Sequence, residues 1–311
     1  MADLAVVILA YNEAKHIRRA LENVAGVARE VFVIDSGSTD GTADIARDAG
    51  AVVLQNRFVN YALQYEWALA NAPITAEWVM RLDADETLTP ELLAEIEQTL
   101  PTLPAEITGV NLNRRHIFMG RFIRHGGRYP LTLLRIWRKG CARIEQRWMD
   151  EHMVLLRGSA ITCVHDFSDH NLNDLTFFTA KHNSYATREA IDVLGRKYGL
   201  LDFSDDLDKD ATSWQASAKR WIKTAIYNRL PLWAGPLGYF LLRYVFQRGF
   251  LDGVEGLVYH VLQGFWYRFL VAAKIEEYDR SLRPLASIDA RRVELARLTG
   301  YSIDHFTPAK H

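Results

Sequence analysis

The chain has 311 residues, 49% of them hydrophobic, which is ample for a sizeable core and for more than one substructure. Its two cysteines, Cys141 and Cys163, exclude a disulfide framework and a cysteine-based metal site, and they suit a reducing cytoplasm. The net charge of −1 hides an asymmetry: residues 1–106 carry 17 acidic against 7 basic side chains, residues 111–147 ten basic and one acidic, and residues 212–283 ten basic and five acidic. The basic stretches point to an anionic partner, whether nucleotide phosphates, a glycolipid or a membrane surface, and no nucleic-acid-binding motif accompanies them.

In chain order, Ala5–Ala10 is a continuous apolar run, the mark of a strand buried on both faces. It lacks the basic flank of a signal peptide and reads as the first strand. Tyr11-Asn12-Glu13 ends it, with Asn12 placed to cap a helix whose Ile17, Leu21 and Val24 share one face. A second strand, Val31–Ile34, runs into Asp35-Ser36-Gly37-Ser38-Thr39-Asp40-Gly41-Thr42, a loop of turn formers that opens a short helix ending near Gly50. Ala51–Leu54 is a third strand, and a helix through Leu63, Trp67 and Leu69 leads to a fourth, Trp78–Met80. Arg81-Leu82-Asp83-Ala84-Asp85-Glu86 follows, and Thr89-Pro90 supplies an N-cap and first residue for the next helix.

The alternation of strand and helix predicts an α/β fold with a mostly parallel sheet. The polar clusters at 11–13, 35–40 and 83–86 each follow a strand, so they gather at the carboxyl edge, where open α/β sheets bind ligands. Asp83 and Asp85 are two residues apart and reach one hard cation, Mn²⁺ or Mg²⁺, directly or through water. No dinucleotide-binding glycine fingerprint and no Walker lysine motif occur.

These three motifs, Ala10-Tyr11-Asn12-Glu13, Ile34–Thr42 and Leu82-Asp83-Ala84-Asp85-Glu86, resemble the family 2 glycosyltransferases of the GT-A fold over roughly residues 3–190. The resemblance implies a Rossmann-like sheet with flanking helices and a nucleotide-sugar donor, expected to be a UDP-sugar. Ala10, Tyr11, Asn12, Glu13, Asp35, Ser38, Arg81 and Asp83 would hold the nucleotide, with Asp35 pairing with the base. Asp85 would hold the metal on the diphosphate, and transfer would invert the anomeric carbon. The chemistry agrees, since a sugar nucleotide needs a base pocket, a cation on its leaving group and a base for the acceptor hydroxyl.

The sheet is expected to continue through Val110–Arg114 and Leu131–Trp137. Between them, His116–Gly127 with Arg128 reads either as a mobile basic loop near donor or acceptor or as a solvated basic surface. Arg135 matches a position where the family often has an arginine. Trp148-Met149-Asp150-Glu151-His152 falls where the family keeps its catalytic base. On a strand Asp150 would share a face with His152 and be the base; the family's motif usually opens a helix, and the resemblance then implies the second acid, Glu151, with Asp150 orienting it. Glu151 is the choice here. Arg128, Arg135 and His152 are the candidate acceptor or phosphate contacts. The closer likeness is to the subgroup of lipopolysaccharide-core glucosyltransferases, which implies His165 as a third metal ligand; His170, His182 and His311 are read as surface residues.

Residues 172–194 read as a helix with Leu172, Leu175, Phe178 and Tyr185 on its apolar side, which places the catalytic domain at 1–200. The acidic stretch 201–211 reads as a linker, and 212–311 as a helical region with a closing helix at Arg291–Tyr301. Lys219–Ile226 is amphipathic. Leu230–Phe246 is broken by Pro231 and Pro236 and is shorter than the ~20 apolar residues of a spanning helix, and Val258–Ala273 continues with Trp266, Tyr267 and Phe269. Aromatic residues interleaved with basic ones on broken apolar helices suggest a segment lying on the inner face of the cytoplasmic membrane; burial against the catalytic domain or a dimer interface is the alternative.

The leading expectation is therefore an inverting, metal-dependent glycosyltransferase acting on a lipid-linked or lipopolysaccharide-type glycan. Transfer directly to polyprenyl phosphate, with the basic stretch 111–147 on the lipid phosphate, is the alternative within that class. A nucleotidyltransferase would need a glycine-rich N-terminal loop that is absent, and a non-catalytic membrane adaptor would not need the acids at 83, 85, 150 and 151.

Overall fold

The computed structural model describes residues 2–145, 152–200, 231–301 and 303. They divide into two units. The first comprises Met1–Asn173 with Leu251–Glu255, and the second comprises Asp174–Phe250 with Gly256–His311.

The first unit is a mixed α/β layer. Strands β1 (Leu4–Ala10), β2 (Glu30–Asp35), β3 (Val52–Gln55) and β4 (Trp78–Arg81) lie in the spatial order β3-β2-β1-β4, all parallel. Helices α1 (Ile17–Val24), α2 (Thr42–Asp48) and α3 (Tyr61–Asn71) connect them. This is the Rossmann-like half that the alternation predicts. Beyond β4 the sheet becomes mixed. Strand β8 (Thr132–Arg138) runs antiparallel to β4 and to β6 (Ile107–Phe118); β11 (Ser159–His170) is parallel to β6, and β5 (Glu86–Leu88) closes the path antiparallel to β11. The short strands β7 (Arg121–Phe122), which pairs with β6, and β9 (Ala142–Ile144) with β10 (Met153–Leu155) form two hairpins.

Strand β1 shows why the layer holds together. Leu4, Val6, Ile8 and Ala10 join Ile17, Ala20, Leu21 and Val24 of α1 and Leu92 and Ile96 of α4 (Pro90–Thr99) on one side. The intervening Ala5 and Val7 join Ala62, Tyr65 and Ala68 of α3 on the other, with Trp137 and Ile144. Alternation along one strand thus feeds two cores, and each buried large aliphatic residue contributes about 1.5–3 kcal/mol relative to exposure. The inward face of α3 differs from expectation: Leu63 is 42% exposed, because small Ala62 and Ala68 let the helix sit close while Tyr65 fills the gap. Thr89 does cap α4, accepting from Leu92 N at 3.2 Å, with Pro90 at the first position.

In the second unit α5 (Leu175–Tyr198) presents Ala186, Ala190, Ile191 and Leu194 inward, whereas Leu172 and Leu175 are exposed. Ala186 packs with Tyr267 and Val271 of the helix Tyr267–Leu282. This helix, read from the sequence as the end of the catalytic domain, thus groups with the C-terminal helices. Asp279 ties them further, accepting from Lys197 Nζ at 2.7 Å, Tyr198 Oη at 2.6 Å and Arg283 Nε at 2.7 Å. Pro236 falls in the first turn of the helix Ala234–Leu241, where a missing N–H costs nothing. The closing helix is Ile288–Thr299, capped by Ser287. Among the described residues no helix is long and apolar enough to cross a membrane. The linker at 201–211, the amphipathic stretch Lys219–Ile226 and His311 lie outside the described residues.

Candidate active site

The parallel register sets Ala10 beside Asp35, and Asp35 beside Gln55, at the carboxyl edge of the sheet. The loops that leave this edge are clasped to each other. Asn12 adopts φ 55°, a left-handed conformation asparagine tolerates. Its N–H donates to Ser38 Oγ at 2.9 Å, and its Oδ1 accepts from Thr39 N at 2.9 Å. Asn12 therefore joins two loops and does not cap α1, whose cap position is held by His16 without a side-chain bond. Glu13 N donates to Thr42 Oγ1 at 2.8 Å and Ala14 N to Asp40 Oδ2 at 3.0 Å. Burial alone would raise the Asp40 carboxyl; the Thr42 hydroxyl and the backbone N–H groups of Ala14 and Thr42 outweigh it and hold the group below the usual range.

Asp35 is fully buried, and its carboxylate accepts from Gly37 N and Ser38 N, each at 3.1 Å, folding its own loop back. Gly37 makes that turn possible at φ 86°. Gln64 of α3, which sequence reading passed over, donates to Ser36 Oγ at 3.1 Å and to Asn56 O at 3.0 Å. Tyr11, 61% exposed, stands at the rim with its ring open to a planar ligand.

The aspartate loop lies beside this edge, since Leu82 N donates to Val7 O at 3.2 Å. Asp83 Oδ1 accepts from Tyr61 Oη at 2.7 Å and lies 3.6 Å from Arg81 Nε; Asp83 Oδ2 lies 3.8 Å from Arg135 Nη2. Burial would raise the Asp83 carboxyl, but the guanidiniums of Arg81 and Arg135 and the Tyr61 hydroxyl prevail and keep it ionised below the usual range. Arg81 is fixed in turn by stacking 4.4 Å above the Tyr61 ring. Glu86, read from the sequence as part of the acidic loop, belongs to β5, and its side chain is 1% exposed. Its partner is Arg135, Nη2 to Oε1 at 2.5 Å. Burial, with the Asp83 and Asp169 carboxylates adding to it against Arg135, pushes Glu86 up to about 8. Arg135, expected as an acceptor or phosphate contact, is itself buried, and its partners are Glu86 and, at 3.8 Å, Asp83.

Asp85 sits at the far side of the same loop. Its Oδ2 accepts from Asn171 Nδ2 at 2.9 Å, and its main-chain oxygen accepts from His170 N at 3.0 Å and Arg19 Nη2 at 3.1 Å. Neither Arg19 nor Asn171 was found from sequence. His165 is elsewhere: its ring Nδ1 and its N–H hold Glu95 of α4 at 2.9 and 3.0 Å. The histidine beside Asp85 is His170, which sequence reading placed on the surface. Burial and the nearby Arg19 lower its pKa, so it is neutral at physiological pH. Among the described residues no three His, Cys, Asp or Glu side chains converge into a ready-made metal cage. The oxygen donors of Asp83 and Asp85 nonetheless fit Mn²⁺ or Mg²⁺, which draw their remaining ligands from water and substrate phosphates.

On the other flank, basic residues of β6 face acids of β11. Arg115 Nε lies 2.7 Å from Asp166, Arg114 Nη1 3.6 Å and His116 Nδ1 3.1 Å from Asp169. The loop after β6 is anchored and not loose: His125 N and Nδ1 contact the two oxygens of buried Asp252 at 2.8 and 2.6 Å, and Arg121 lies 3.6 Å from Glu255. Arg128 in this loop is half-buried. Asp150 and Glu151 lie outside the described residues. Their segment is bracketed by a closed hairpin, with Glu145 N donating to the main-chain oxygen of exposed His152 at 2.9 Å. Ala142, Ile144 and Met153 of that hairpin share a core with Ala62 and Tyr65 of α3, the helix whose Tyr61 holds Asp83.

An uncharacterized glycosyltransferase of Rickettsia felis is 38% identical over 97 residues, 31% of this chain and 34% of that protein. The lipopolysaccharide core biosynthesis glycosyltransferase LpsC of Rhizobium meliloti is 32% identical over 149 residues, 42% of this chain and 54% of that one. The chain thus spans between about a third and a half of the length of these relatives. Among solved structures, glucosyl-3-phosphoglycerate synthase from Mycobacterium tuberculosis, in complex with Mn²⁺, UDP and glucosyl-3-phosphoglycerate, superposes with a TM-score of 0.30 at 23% identity, covering 36% of this chain and 43% of that one. The family model described as glycosyl transferase family 2 matches residues 5–167, just over half of the chain, and takes in all three loops at the sheet edge. This chain belongs to glycosyl transferase family 2.

Proposed function

We propose that the chain is an inverting, metal-dependent glycosyltransferase that moves a sugar from a nucleoside-diphosphate sugar, a UDP-sugar by preference, to a glycan or glycolipid acceptor. The observation that carries this is that the Asn12–Ser38 clasp and the loop bearing Asp83 and Asp85 leave the same edge of the sheet, where Leu82 N donates to Val7 O. The base and ribose would occupy the clasped loops, with Tyr11 over the base. The diphosphate would lie toward Asp83 and Asp85. Asp83 and Asp85 would hold a divalent cation there, which would supply charge neutralisation to the leaving diphosphate. Arg81, Tyr61 and Arg135 fix the Asp83 carboxylate in advance, so no reorganisation accompanies that step. Glu151, with Asp150 orienting, would take the acceptor hydroxyl proton as the oxygen attacks the anomeric carbon opposite the leaving diphosphate. The hairpin that brackets them packs on the helix carrying Tyr61, which supports that role.

For the acceptor, the name of the LpsC relative favours a lipopolysaccharide-type glycan. Direct transfer to polyprenyl phosphate is the lesser reading, because five of the ten basic residues in the stretch it requires, Arg114, Arg115, Arg121, Arg135 and Arg138, are matched by acids of the protein itself. A station on the inner face of the cytoplasmic membrane is favoured by exposed Trp233, Leu242 and Val245 and by Phe246, which is 77% exposed.

The test is mass analysis of products from UDP-sugars offered with Mn²⁺ and either truncated lipopolysaccharide core or polyprenyl phosphate. A metal-dependent glycosylated core supports the proposal; hydrolysis and transfer both absent for every nucleotide sugar would sink it. Sedimentation with anionic vesicles, weakening as salt rises, checks the membrane station.

A further inference from the structure

The segment that follows β11, Asn171–Asn173, carries the amide that meets Asp85, and it is held from three directions. His16 is 1% exposed and lies one turn after the nucleotide loop. Its Nε2 is 2.9 Å from Leu172 N, a donor, so Nε2 must be the acceptor. The proton is then on Nδ1, which donates to Glu13 Oε2 at 2.6 Å. Lys15 Nζ donates to Asn173 Oδ1 at 3.0 Å. The orientation of the Asn171 amide is fixed as well. Asn173 N donates to Asn171 Oδ1 at 3.0 Å, so the Nδ2 group is the one facing Asp85 Oδ2. Arg19 locks the same corner from α1, reaching His170 O at 2.7 Å and Asp85 O at 3.1 Å. A continuous path therefore runs from Thr42 and Glu13 in the nucleotide loops, through the neutral His16 ring, Leu172 and Asn171, to the Asp85 carboxylate.

We infer that His16 is a positioning residue that couples the nucleotide loops to the metal-binding carboxylate. The inference rests on the reading that Asp85 holds the cation on a nucleoside diphosphate. Glu13 moves with the loop that receives the nucleotide, because its N–H is bonded to Thr42. His16 transmits that position to Leu172, and Asn171 turns it into one orientation of Asp85. Oriented carboxylate ligands bind metals more tightly, and removing the group behind such a ligand costs 10–100-fold in metal affinity. Filling the nucleotide site and filling the metal site should thus favour each other through this chain, reciprocally.

The experiment measures Mn²⁺ affinity of the full chain, by the electron paramagnetic resonance signal of free Mn²⁺, with and without saturating UDP. The wild type should bind Mn²⁺ more tightly when UDP is present, by about tenfold or more. Asp85→Asn should lose the tight binding altogether. His16→Ala should bind Mn²⁺ alone more weakly than wild type and gain less from UDP, keeping only the part of the gain that the diphosphate oxygens supply as ligands. His16→Gln, whose side-chain oxygen can still accept from Leu172 N, should recover part of the loss; a purely structural role would give no such rescue. Asn171→Leu tests the far end of the path without disturbing the core and should match His16→Ala. If the wild type shows no gain with UDP, the underlying metal reading fails. If the wild type gains, Asp85→Asn does not, and folded Asn171→Leu gains as much as wild type, the metal reading stands and the coupling path is overturned.

Discussion

Replacing Arg135 by methionine isolates the ion pair beneath the aspartate loop. Arg135 and Glu86 are both almost fully buried and their side chains meet at 2.5 Å, with Asp83 3.8 Å away. The methionine keeps much of the stem and removes the charge. Removing Arg135 costs stability because it leaves the Glu86 carboxylate desolvated, with the Asp83 N–H at 2.9 Å as its remaining donor. That cost depends on pH. Burial already pushes Glu86 from an ordinary value of 4.5 up to about 8, and Arg135 is the group that opposes the rise. A carboxyl whose folded value is raised holds its proton in the folded state after the unfolded chain has lost it. Its stabilising effect is complete below 4.5 and is lost as pH rises toward the folded value. Without Arg135 the folded value climbs past 8, so the loss continues above the wild-type window. Urea unfolding followed by tryptophan fluorescence should show the variant about 1 kcal/mol weaker than wild type at pH 5, a packing difference, and about 2 kcal/mol weaker near pH 8.5, the extra loss growing by about 1.4 kcal/mol per pH unit above the wild-type value. Adding Glu86→Gln to the variant should restore most of the difference. An equal loss at both pH values, or no rescue by the second substitution, would refute the argument that charge burial and not packing sets the site.

Other consequences follow from individual contacts. Tyr61→Phe removes the hydroxyl that donates to Asp83 and about 1 kcal/mol of its support, so nucleotide-diphosphate affinity measured by calorimetry should fall about fivefold with folding unchanged. Glu151→Gln should abolish transfer while leaving donor binding intact, and Asp150→Asn should retain measurable transfer; the reverse pattern in product assays would make Asp150 the base.

The parts of this site that could be read from the sequence are those set by neighbours along the chain. Apolar runs mark β1, β2 and β4, and the polar residues after each had to meet at one edge once the strands were parallel. Thr89-Pro90 announces a helix start because capping is local chemistry, completed three residues on at Leu92. What escaped reading is long-range. Glu86 and Arg135 are 49 positions apart, and nothing near either one reveals that β5 turns into the sheet to make that pair. Arg19 and Asn171 reach Asp85 across 66 and 86 positions. The histidines show how a small register difference decides a role. His165 and His170 share β11, five residues apart and so of opposite parity along the strand, and the ladder shifts register between Thr162 and Asp166. His165 meets Glu95, and His170 meets the aspartate loop. Asn12 misled for a different reason: its left-handed backbone turned a standard capping residue into a clasp between loops.

The central claim, that Asp83 and Asp85 hold a divalent cation on a nucleoside diphosphate, is tested most directly by calorimetric titration of UDP into the full chain. The titration is run with Mn²⁺ and again with a chelator, on wild type and on Asp85→Asn. The account predicts tight binding to wild type with Mn²⁺, binding weakened by orders of magnitude under chelation, and an Asp85→Asn variant as weak with Mn²⁺ as wild type is without it. Equal UDP affinity with and without the metal in wild type, or an Asp85→Asn variant that still responds fully to Mn²⁺, would contradict it.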